Sequence, residues 1–234
     1  MGTIPEYSAT VIEVISAAKE TKLFRLKLSE SSPPFHFTVG QFISIFIEEK
    51  VFRAYSIASS SKKLPLIELC VKIIPGGKGS EHLDHLAPGD VITFRGPFGS
   101  CVLKDLQKSK IFIAGGTGIA PIKAFVDELK EERFGGEEEL LYGVRTPEYA
   151  VYTDEFKNLS SDHFRWILCA SDMEKNDSEK YPRYPTDVLQ KYPPEYFRDK
   201  EVYVCGPPPL VKETIHILTE EKNFPKEYIF TEAY

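Results

Sequence analysis

The amino-acid sequence predicts a two-domain protein, with an all-β antiparallel barrel followed by an α/β domain built on a doubly wound parallel sheet. Three observations carry this prediction. The chain has 234 residues, enough for two small domains. Its first part holds six short β-rich runs, and its second part alternates apolar runs with amphipathic segments. Hydrophobic residues at 42% and charged residues at 27% exclude a largely disordered chain.

Charge and hydropathy exclude several function classes. The 29 basic and 35 acidic residues give a net charge of −6, which argues against a general nucleic-acid binder. The longest apolar stretch, 111–126, contains Lys123 and is shorter than the ~20 residues of a membrane span. The first basic side chain is Lys19, so the N-terminal stretch lacks the basic start of a secretory signal, and we expect a cytoplasmic protein.

The four cysteines, Cys70, Cys101, Cys169 and Cys205, are far apart. None forms a C-x-x-C pair or an iron–sulfur spacing. We therefore expect reduced thiols, no metal site and no cluster on this chain.

The barrel prediction rests on short runs with period-2 alternation, separated by Pro, Gly, Ser and Lys. In order, they are TVIEVI, LFRLKL, QFISIFI, FRAYSIA, LIELCVKII and VITFRG. Between the last two, GSEHLDHL (79–86) has leucines at helical spacing and Ser80 as a candidate N-cap, before the breaker pair Pro88-Gly89. One short helix is expected there.

The α/β prediction rests on four pairs of an apolar strand and an amphipathic helix. The strands are KIFIAGG, ELLYGVR, FRWILCAS and EVYVCGP, and the helices are APIKAFVDELKEE, TDEFKNL, TDVLQKY and PLVKETIHILTEE. Hydrophobicity dips over 103–109, which predicts a barrel domain over 1–104 and an α/β domain over 105–234. The charged, Tyr/Pro-rich stretch 172–185 is expected to be an exposed loop.

Two loops of the α/β domain are candidates for a nucleotide site. The stretch 115–121 (GGTGIAP) follows a strand and opens a helix, where backbone N–H groups and the helix end favour a phosphate. It departs from G-x-G-x-x-G, so an ordinary strand-to-helix turn is the alternative. Cys205-Gly206-Pro207 ends another strand and is expected at the same sheet edge. Taken alone, Cys205 reads as a small buried hydrophobe.

In the barrel, Arg53-Ala54-Tyr55-Ser56-Ile57 brings a cation, an aromatic ring and a hydroxyl into one extended run. Because alternate strand residues point to opposite sides, Arg53 and Tyr55 share a face and Ser56 lies on the other. An Arg can neutralise phosphate, a Tyr can stack on a planar ring, and a Ser can bind a heteroatom at the ring edge. An exposed strand of mixed polarity is the plainer alternative.

Six motifs, RAYSIAS, GGKGSEHL, GPFG, GGTGIAP, CGPP and the final EAY, occur in this order. Together they resemble the ferredoxin–NADP reductase superfamily of flavoprotein reductases over nearly the whole chain. The resemblance implies an FAD-binding barrel, a nicotinamide-nucleotide-binding α/β domain and an NAD(P)H-dependent reductase. Such an enzyme passes electrons to a separate one-electron carrier, such as a ferredoxin or an oxygenase component, or to free flavin or a quinone.

The resemblance implies a flavin site on the barrel. Arg53 would contact the cofactor phosphates, Tyr55 would stack on the isoalloxazine and Ser56 would lie near its N5. Ala54 and Ile57 complete this motif. A second segment, with Gly79 and Ser80 opening a short helix that receives the pyrophosphate, favours FAD over FMN.

The resemblance also implies a nicotinamide site, with Thr117 and Cys205 flanking the nicotinamide. Its further cofactor-binding residues come from the same two loops: Gly116, Gly118, Pro121, Gly206 and Pro207. The ending Glu232-Ala233-Tyr234 resembles the plant-type reductases, in which the terminal Tyr covers the outer flavin face and the Glu sits beside the site. Ser56, Cys205, Glu232 and Tyr234 are thus the expected catalytic residues. A frayed terminus is the alternative for Tyr234.

The preferred nucleotide depends on the loop after the third α/β strand. NADPH-specific plant-type members have a Ser-Arg pair there, whereas this chain has Ser171-Asp172. The Asp would repel a 2′-phosphate and could bind ribose hydroxyls, which favours NADH. Arg145 or Lys175 could supply a positive charge instead, and Asp172 could be only a helix cap or an exposed loop residue.

Two other functions compete with a reductase. One is an electron-transfer or regulatory flavoprotein subunit of a larger complex, and the other is a nicotinamide-dependent dehydrogenase without flavin, which would leave RAYS and GGKGS unexplained. The acceptor depends on local surface charge, for which the candidates are Lys62, Lys63, Lys104, Lys108 and Lys110.

Overall fold

The protein was analysed as a computed structural model that describes residues 5–48, 51–173 and 180–234. Its N-terminal part holds six strands: β1 Glu6–Ala18, β2 Thr21–Leu28, β3 Phe42–Glu48, β4 Val51–Ser56, β5 Leu66–Lys72 and β6 Val91–Phe98. Each of the six β-rich runs of the sequence therefore overlaps one strand.

The six strands form an antiparallel barrel in the order β4-β3-β6-β1-β2-β5. A bridge between Ile57, just after β4, and Leu69 of β5 joins the two end strands. Alternation orients the side chains: Phe24 and Leu26 of β2 are buried, whereas Arg25 between them is exposed. Burying one face of each strand gives the barrel its core.

A short helix, α1 Lys78–Asp84, connects β5 to β6 as expected. The prediction that Ser80 caps it is wrong, because the helix begins earlier and Gly77 holds the N-cap position without a side-chain hydrogen bond. Ser80 lies inside the first turn, where its hydroxyl accepts a hydrogen bond from the Ile74 N–H at 3.0 Å. Ser80 thus links the start of α1 to the segment that directly follows β5.

The second part of the chain is the predicted α/β domain. Its strands are β7 Lys110–Gly115, β8 Glu138–Val144, β9 Phe164–Ala170, β10 Glu201–Gly206 and β11 Ile229–Ala233, all parallel, in the order β11-β10-β7-β8-β9. Its helices are α2 Ile119–Glu131, α3 Thr153–Leu159, α4 Pro185–Lys191 and α5 Pro208–His216, which continues as a π-helical turn over Ile217–Glu221.

Both faces of this parallel sheet are covered, which confirms the doubly wound arrangement. Along β7, Phe112 and Ala114 belong to the cluster that contains residues of α2 and α3. The alternate residues Ile111 and Ile113 belong to the cluster that contains residues of α4 and α5. Because all six residues of β7 are buried, the strand is uniformly apolar except for Lys110 at its start.

One hydrophobic cluster runs through both parts of the molecule. It contains barrel residues such as Phe24 and Phe94 together with Phe112, Phe125 and Phe156 of the α/β domain. Phe125 of α2 packs against the Gly40 backbone before β3. The two domains therefore share a continuous apolar interface, and the boundary between residues 104 and 105 stays a prediction.

In the part of the chain that the structure describes, no helix has the length and apolar character needed to cross a membrane. Within the same ranges, no cluster of His, Cys, Asp and Glu side chains could hold a metal ion, and all four cysteines are free and buried.

A core substitution tests the barrel. Phe94 is fully buried and stacks on Tyr7 at 5.5 Å between ring centroids, so Phe94→Ala should destabilise the fold by about 3–5 kcal/mol, through lost burial and the remaining cavity. Urea unfolding followed by circular dichroism measures the loss. Val91→Ala, at a strand residue that is 63% exposed, is the control and should change stability by less than about 0.5 kcal/mol. Equal effects of the two substitutions would contradict the assigned core.

Candidate functional site

The barrel presents Arg53 and Tyr55 on one surface beside the start of α1. A Cβ atom on Gly79 would lie 2.6 Å from Arg53 Cγ and 2.7 Å from the Tyr55 hydroxyl, so both side chains reach the same point. This confirms that they share a face of β4. Only glycine permits this approach, because any side chain at residue 79 would displace one of the two. Burial raises the pKa of Tyr55 to about 12, and the hydroxyl therefore stays protonated at neutral pH.

The other residues of this strand differ in exposure. Ala54 is exposed and Ser56 is half-buried at the end of β4. Ile57 does not join the surface with its side chain, which is fully buried in the barrel core at the bridge to Leu69. The structure thus brings Arg53 and Tyr55 to α1 and assigns the Ile57 side chain to packing.

The two candidate loops of the α/β domain meet at the carboxyl edge of the sheet. Gly116–Gly118 forms a 3-10 turn between β7 and α2, and Gly206 ends the neighbouring strand β10. A Cβ atom on Gly118 would overlap the Cys205 carbonyl group. A glycine at residue 118 is therefore required for the two loops to touch, which neither motif reveals by itself.

A cleft of about 600 Å³ opens at this edge. The residues predicted for cofactor binding that line it are Gly116, Thr117, Arg145, Ser171 and Pro207. Four predicted residues are buried behind the loops instead, namely Gly118, Pro121, Cys205 and Gly206. Asp172 is exposed outside the lining, and its backbone N–H donates to the Arg145 carbonyl at 2.8 Å.

The cleft has residues that sequence reasoning missed. Arg183 and Tyr184, just before α4, line it from the α/β domain, and Thr21 and Lys72 line it from the barrel. The first two lie within the stretch expected to be an exposed loop. One sequence signal could have indicated these two residues: they come directly before a helix that follows a parallel strand. Loops in that position lie at the carboxyl edge of the sheet and face the ligand crevice.

Positive charge in the cleft is partly neutralised. Glu20, in the turn between β1 and β2, pairs with Arg145 at 3.3 Å and with Lys72 at 3.6 Å. Arg145 also stacks over the Tyr149 ring at 4.4 Å. Lys175, the other cation considered for a phosphate, lies outside the described residues.

The surface lysines considered for docking divide into two groups. Lys62 and Lys63 are exposed but paired, Lys62 with Glu132 and Lys63 with Asp127 at 2.6 Å, whereas Lys110 is fully buried. Lys104 and Lys108 stay at the surface, where they stack over Phe230 at 6.0 Å and Tyr228 at 4.4 Å.

The final segment is the edge strand β11, which joins the sheet beside β10. Their parallel register sets Cys205 opposite Glu232 and Gly206 opposite Ala233. The Tyr234 N–H donates to the Gly206 carbonyl at 3.3 Å, and about half of the Tyr234 surface is exposed. The end of the sequence is therefore held at the same edge as the two loops rather than frayed.

Glu232 and Cys205 both have raised pKa values. Burial raises the pKa of Glu232 to about 7, and its Oε2 atom is buried without a hydrogen-bond partner among the described residues. The neighbouring Cys101 thiol and burial raise the pKa of Cys205 well above its usual range. Cys205 is thus a neutral thiol, and Glu232 changes charge close to physiological pH.

Two family models match the chain. An oxidoreductase FAD-binding domain covers residues 8–102, and an oxidoreductase NAD-binding domain covers residues 112–216. The first contains the Arg53, Tyr55 and Gly79 surface, and the second contains both loops of the cleft.

Individual relatives agree with these models. The chain is 32% identical over 228 residues to the reductase component of propane 2-monooxygenase from Mycolicibacterium smegmatis, with 92% of this chain and 64% of that protein covered. It is 31% identical over 192 residues to one component of the Na(+)-translocating NADH-quinone reductase of Pseudomonas paraeruginosa, with 74% and 46% covered. The chain thus spans between about half and two thirds of these relatives' length.

Among solved structures, the cytochrome P450 reductase of Amycolatopsis superposes with a TM-score of 0.86 at 27% identity. The match covers 97% of this chain and 69% of that one. Both domains therefore superpose together, in the same relative arrangement.

The residues present fit the two cofactors that these models imply. The surface formed by Arg53, Tyr55 and Gly79 is called the flavin surface here. Because Gly79 has no side chain, its backbone lies directly against Arg53 and Tyr55. This leaves a cradle with a cation for a phosphate and an aromatic group for a planar ring. At the sheet edge, the cleft provides room for a nicotinamide nucleotide, and the unpartnered Glu232 oxygen is a buried polar atom at the same edge, outside the residues that line the cleft.

The raised pKa of Glu232 predicts a pH-dependent stability difference. Because the folded protein favours the protonated carboxyl, its contribution is full below the unfolded pKa, near 4.5, and is lost as pH rises through about 7. Glu232→Gln should therefore match the wild-type melting temperature at pH 5 and exceed it at pH 8. Differential scanning calorimetry at both pH values measures this, with Glu221→Gln, at an exposed position, as the control. A difference that does not change with pH would contradict the assignment.

Proposed function

The chain belongs to the ferredoxin–NADP reductase superfamily, and from that membership we propose that it is an NAD(P)H-dependent FAD reductase that passes electrons to a separate acceptor. One observation carries the proposal: the glycine loop, the Cys205 loop and the Glu232–Tyr234 segment meet at one sheet edge, in a molecule whose barrel presents Arg53 and Tyr55 beside α1. A scaffold that only bound another protein would need neither half of this arrangement.

The barrel residues bind and orient the flavin. When bound, FAD supplies the chemistry that converts a two-electron donation into single-electron steps. Arg53 neutralises phosphate charge and the first turn of α1 offers its N–H groups to the pyrophosphate. Tyr55 presents its neutral ring to the isoalloxazine, and Ser56, at the end of β4, offers a hydroxyl to the ring edge.

The α/β residues orient the nicotinamide nucleotide. The backbone of Gly116 and Thr117 receives the phosphates at the start of α2, and Thr117 also lines the cleft toward the nicotinamide. Cys205 would supply a neutral, polarisable thiol behind the nicotinamide ring, and Glu232 would hold a proton or a charge near it. Tyr234, held beside Gly206, would cover the outer face of a bound flavin ring and exclude water from it while the nucleotide is absent. Alignment, rather than acid–base chemistry, is what these side chains contribute.

NADH is the proposed donor. Glu20 neutralises Arg145 and Lys72, the two cations nearest the barrel side of the cleft. The Asp172 carboxylate stands beside the cleft after β9, where a second anion such as a 2′-phosphate would be repelled. Ribose hydroxyls, by contrast, can donate to a carboxylate.

NADPH is the second candidate donor, and one observation favours it. Arg183 lines the cleft and lies over the Tyr184 ring at 5.2 Å, which orients a guanidinium toward the same crevice. A guanidinium binds phosphate through paired N–H donors. NADH and NADPH differ only in the 2′-phosphate of NADPH, so the nucleotide titration described below decides between them.

The proposed acceptor is a separate redox protein, such as an oxygenase component or a ferredoxin. One observation supports this: the relatives include a monooxygenase reductase component. Free flavin and quinones stay as alternative acceptors. The cytoplasmic location expected from the sequence also stays a prediction.

The two competing functions make different predictions. A purely regulatory flavoprotein subunit would bind FAD but would not be reduced by either nucleotide. A dehydrogenase without flavin would be colourless and would leave the Gly79 cradle unused.

An anaerobic visible spectrum tests the function. The purified protein, loaded with FAD, should show flavin absorption that NADH bleaches at far lower concentration than NADPH does. Tyr55→Ala should retain less FAD after desalting because the ring loses its stacking partner, whereas Tyr228→Ala, at an exposed tyrosine in the same protein, should retain the wild-type amount.

Each other outcome of this titration has a definite meaning. A protein that stays colourless after addition of FAD would overturn the reductase proposal. Bound FAD that neither nucleotide reduces would favour the regulatory role. Preferential reduction by NADPH would make NADPH the donor, with Arg183 as the residue that binds its 2′-phosphate.

Removal of Tyr234 tests the covering role of the final residue. Since the ring and the nicotinamide would compete for one place, the shortened protein should bind both nucleotides more tightly, by about tenfold, and discriminate less between them. Stopped-flow flavin reduction over a range of nucleotide concentrations gives the apparent Kd values. Unchanged Kd values for both nucleotides would show that Tyr234 does not cover the site.

A further inference from the structure

A polar network joins the barrel to the helix that carries the glycine loop. The barrel side is the 3-10 turn Ser61–Lys63 with the two serines before it, and the α/β side is the second half of α2. Ser60 Oγ donates to Glu128 Oε2 at 2.7 Å, and the Ser61 N–H donates to the same oxygen at 3.1 Å. Ser60 is fully buried, so this contact lies inside the interface rather than at its rim.

At the centre of the network is the buried cation Lys123. Only 3% of the residue is exposed, and Asp127, one turn later on the same face of α2, is buried as well. Its Nζ pairs with Asp127 Oδ1 at 2.7 Å and with Glu155 Oε2 of α3 at 3.1 Å. Burial lowers the pKa of Lys123, but the two carboxylates raise it by more, so the group stays charged. Asp127 Oδ2 accepts a second bond, at 2.6 Å, from Lys63 of the barrel.

A second arm of the network passes through Tyr152. Lys123 Nζ lies 5.2 Å from the centre of the Tyr152 ring, and the Tyr152 hydroxyl donates to Glu68 Oε1 of β5 at 2.9 Å. Glu68 in turn accepts from Arg25 Nε of β2 at 3.1 Å. Tyr152 has a left-handed backbone with φ of 62°, which is unfavourable for a bulky residue and persists only when its surroundings hold it.

Stability alone is a poor explanation for this arrangement. A buried ion pair is often no better than apolar residues of similar volume, while the loss of one partner is costly. The fixed directions of hydrogen bonds instead select one orientation between the two surfaces. Here the selected element is α2, whose first turn adjoins the loop with Thr117 that lines the cleft.

We propose that this network is a positioning device that fixes the distance between the flavin surface of the barrel and the nicotinamide end of the cleft. Its members are Ser60, Lys63, Glu68, Lys123, Asp127, Glu128 and Tyr152. The inference rests on the proposed function, because it concerns the reaction between the two cofactors. None of these residues touches either cofactor surface; they act through α2 and the loop before it.

The test compares variants inside the network with matched variants outside it. Asp127→Asn and Tyr152→Phe each remove a charge or a hydroxyl with little change of shape. Glu132→Gln, whose partner Lys62 is about as exposed as itself, and Tyr228→Phe are the matched controls. Exposed pairs such as this one contribute little to stability.

Two measurements are needed. Stopped-flow flavin reduction should give a limiting rate about tenfold lower for both network variants, with apparent nucleotide Kd within twofold of wild type, because misplacement affects the aligned reaction more than binding. Hydrogen–deuterium exchange of the FAD-free protein should show faster exchange over 59–64 and 120–132 in the network variants only.

Each result decides one point. Faster exchange with an unchanged limiting rate would mean that the network joins the domains without positioning them, and the proposal would be overturned. Unchanged exchange in both variants would also overturn the proposal, because the network would then not hold the two domains together. If the protein fails to bind FAD at all, the proposed function fails, while the exchange data still decide whether the network holds the interface. Tyr152→Phe keeps the test decisive if Asp127→Asn does not fold.

Discussion

The constraint on which this structure depends is that its site is divided between two domains. The flavin surface is on β4 and α1 of the barrel, and the nucleotide cleft is at the carboxyl edge of the parallel sheet. In the proposed reaction, transfer between two bound cofactors requires contact distance, so the interface between the domains would be as important as any residue in the cleft. This explains why the cluster that contains Phe24 of the barrel continues without interruption to Phe125 of α2.

Apolar contact and polar contact have different tasks at that interface. Burial of apolar surface is non-directional, so it holds the domains together but permits small rotations of one against the other. The bonds from Ser60 and Lys63 to α2 are directional, and they remove that freedom. Both kinds of contact converge on α2, which is also the helix that begins at the glycine loop. The position of the glycine loop relative to the barrel is therefore determined by interface residues of α2 that lie outside the ligand-binding surfaces.

The sequence predicted those parts of the site that depend on local geometry. The two-residue spacing of Arg53 and Tyr55 was sufficient to predict their shared face, because strand alternation follows from backbone geometry alone. The meeting of the glycine loop with Cys205 was predictable because parallel strands end at one edge. The β-like character of the final run was visible too, although its pairing beside β10, which fixes Glu232 opposite Cys205, required the folded sheet.

Residues whose role depends on distant partners could not be predicted in this way. Lys63 read as a surface cation and Lys123 as an interruption in an apolar run, yet Lys63 binds Asp127 across the interface, and Lys123 binds Asp127 one turn along α2 and Glu155 of α3. The Ser80 cap prediction failed for a related reason: the helix begins after Gly77, and the Ser80 hydroxyl binds the Ile74 N–H, two residues after β5, instead of capping the helix. A charged or hydroxyl side chain has several partners open to it, and the fold selects among them through desolvation, because burial makes an unpaired polar group costly. Polar residues at a domain interface are thus where sequence patterns carry least information and where the structure adds most.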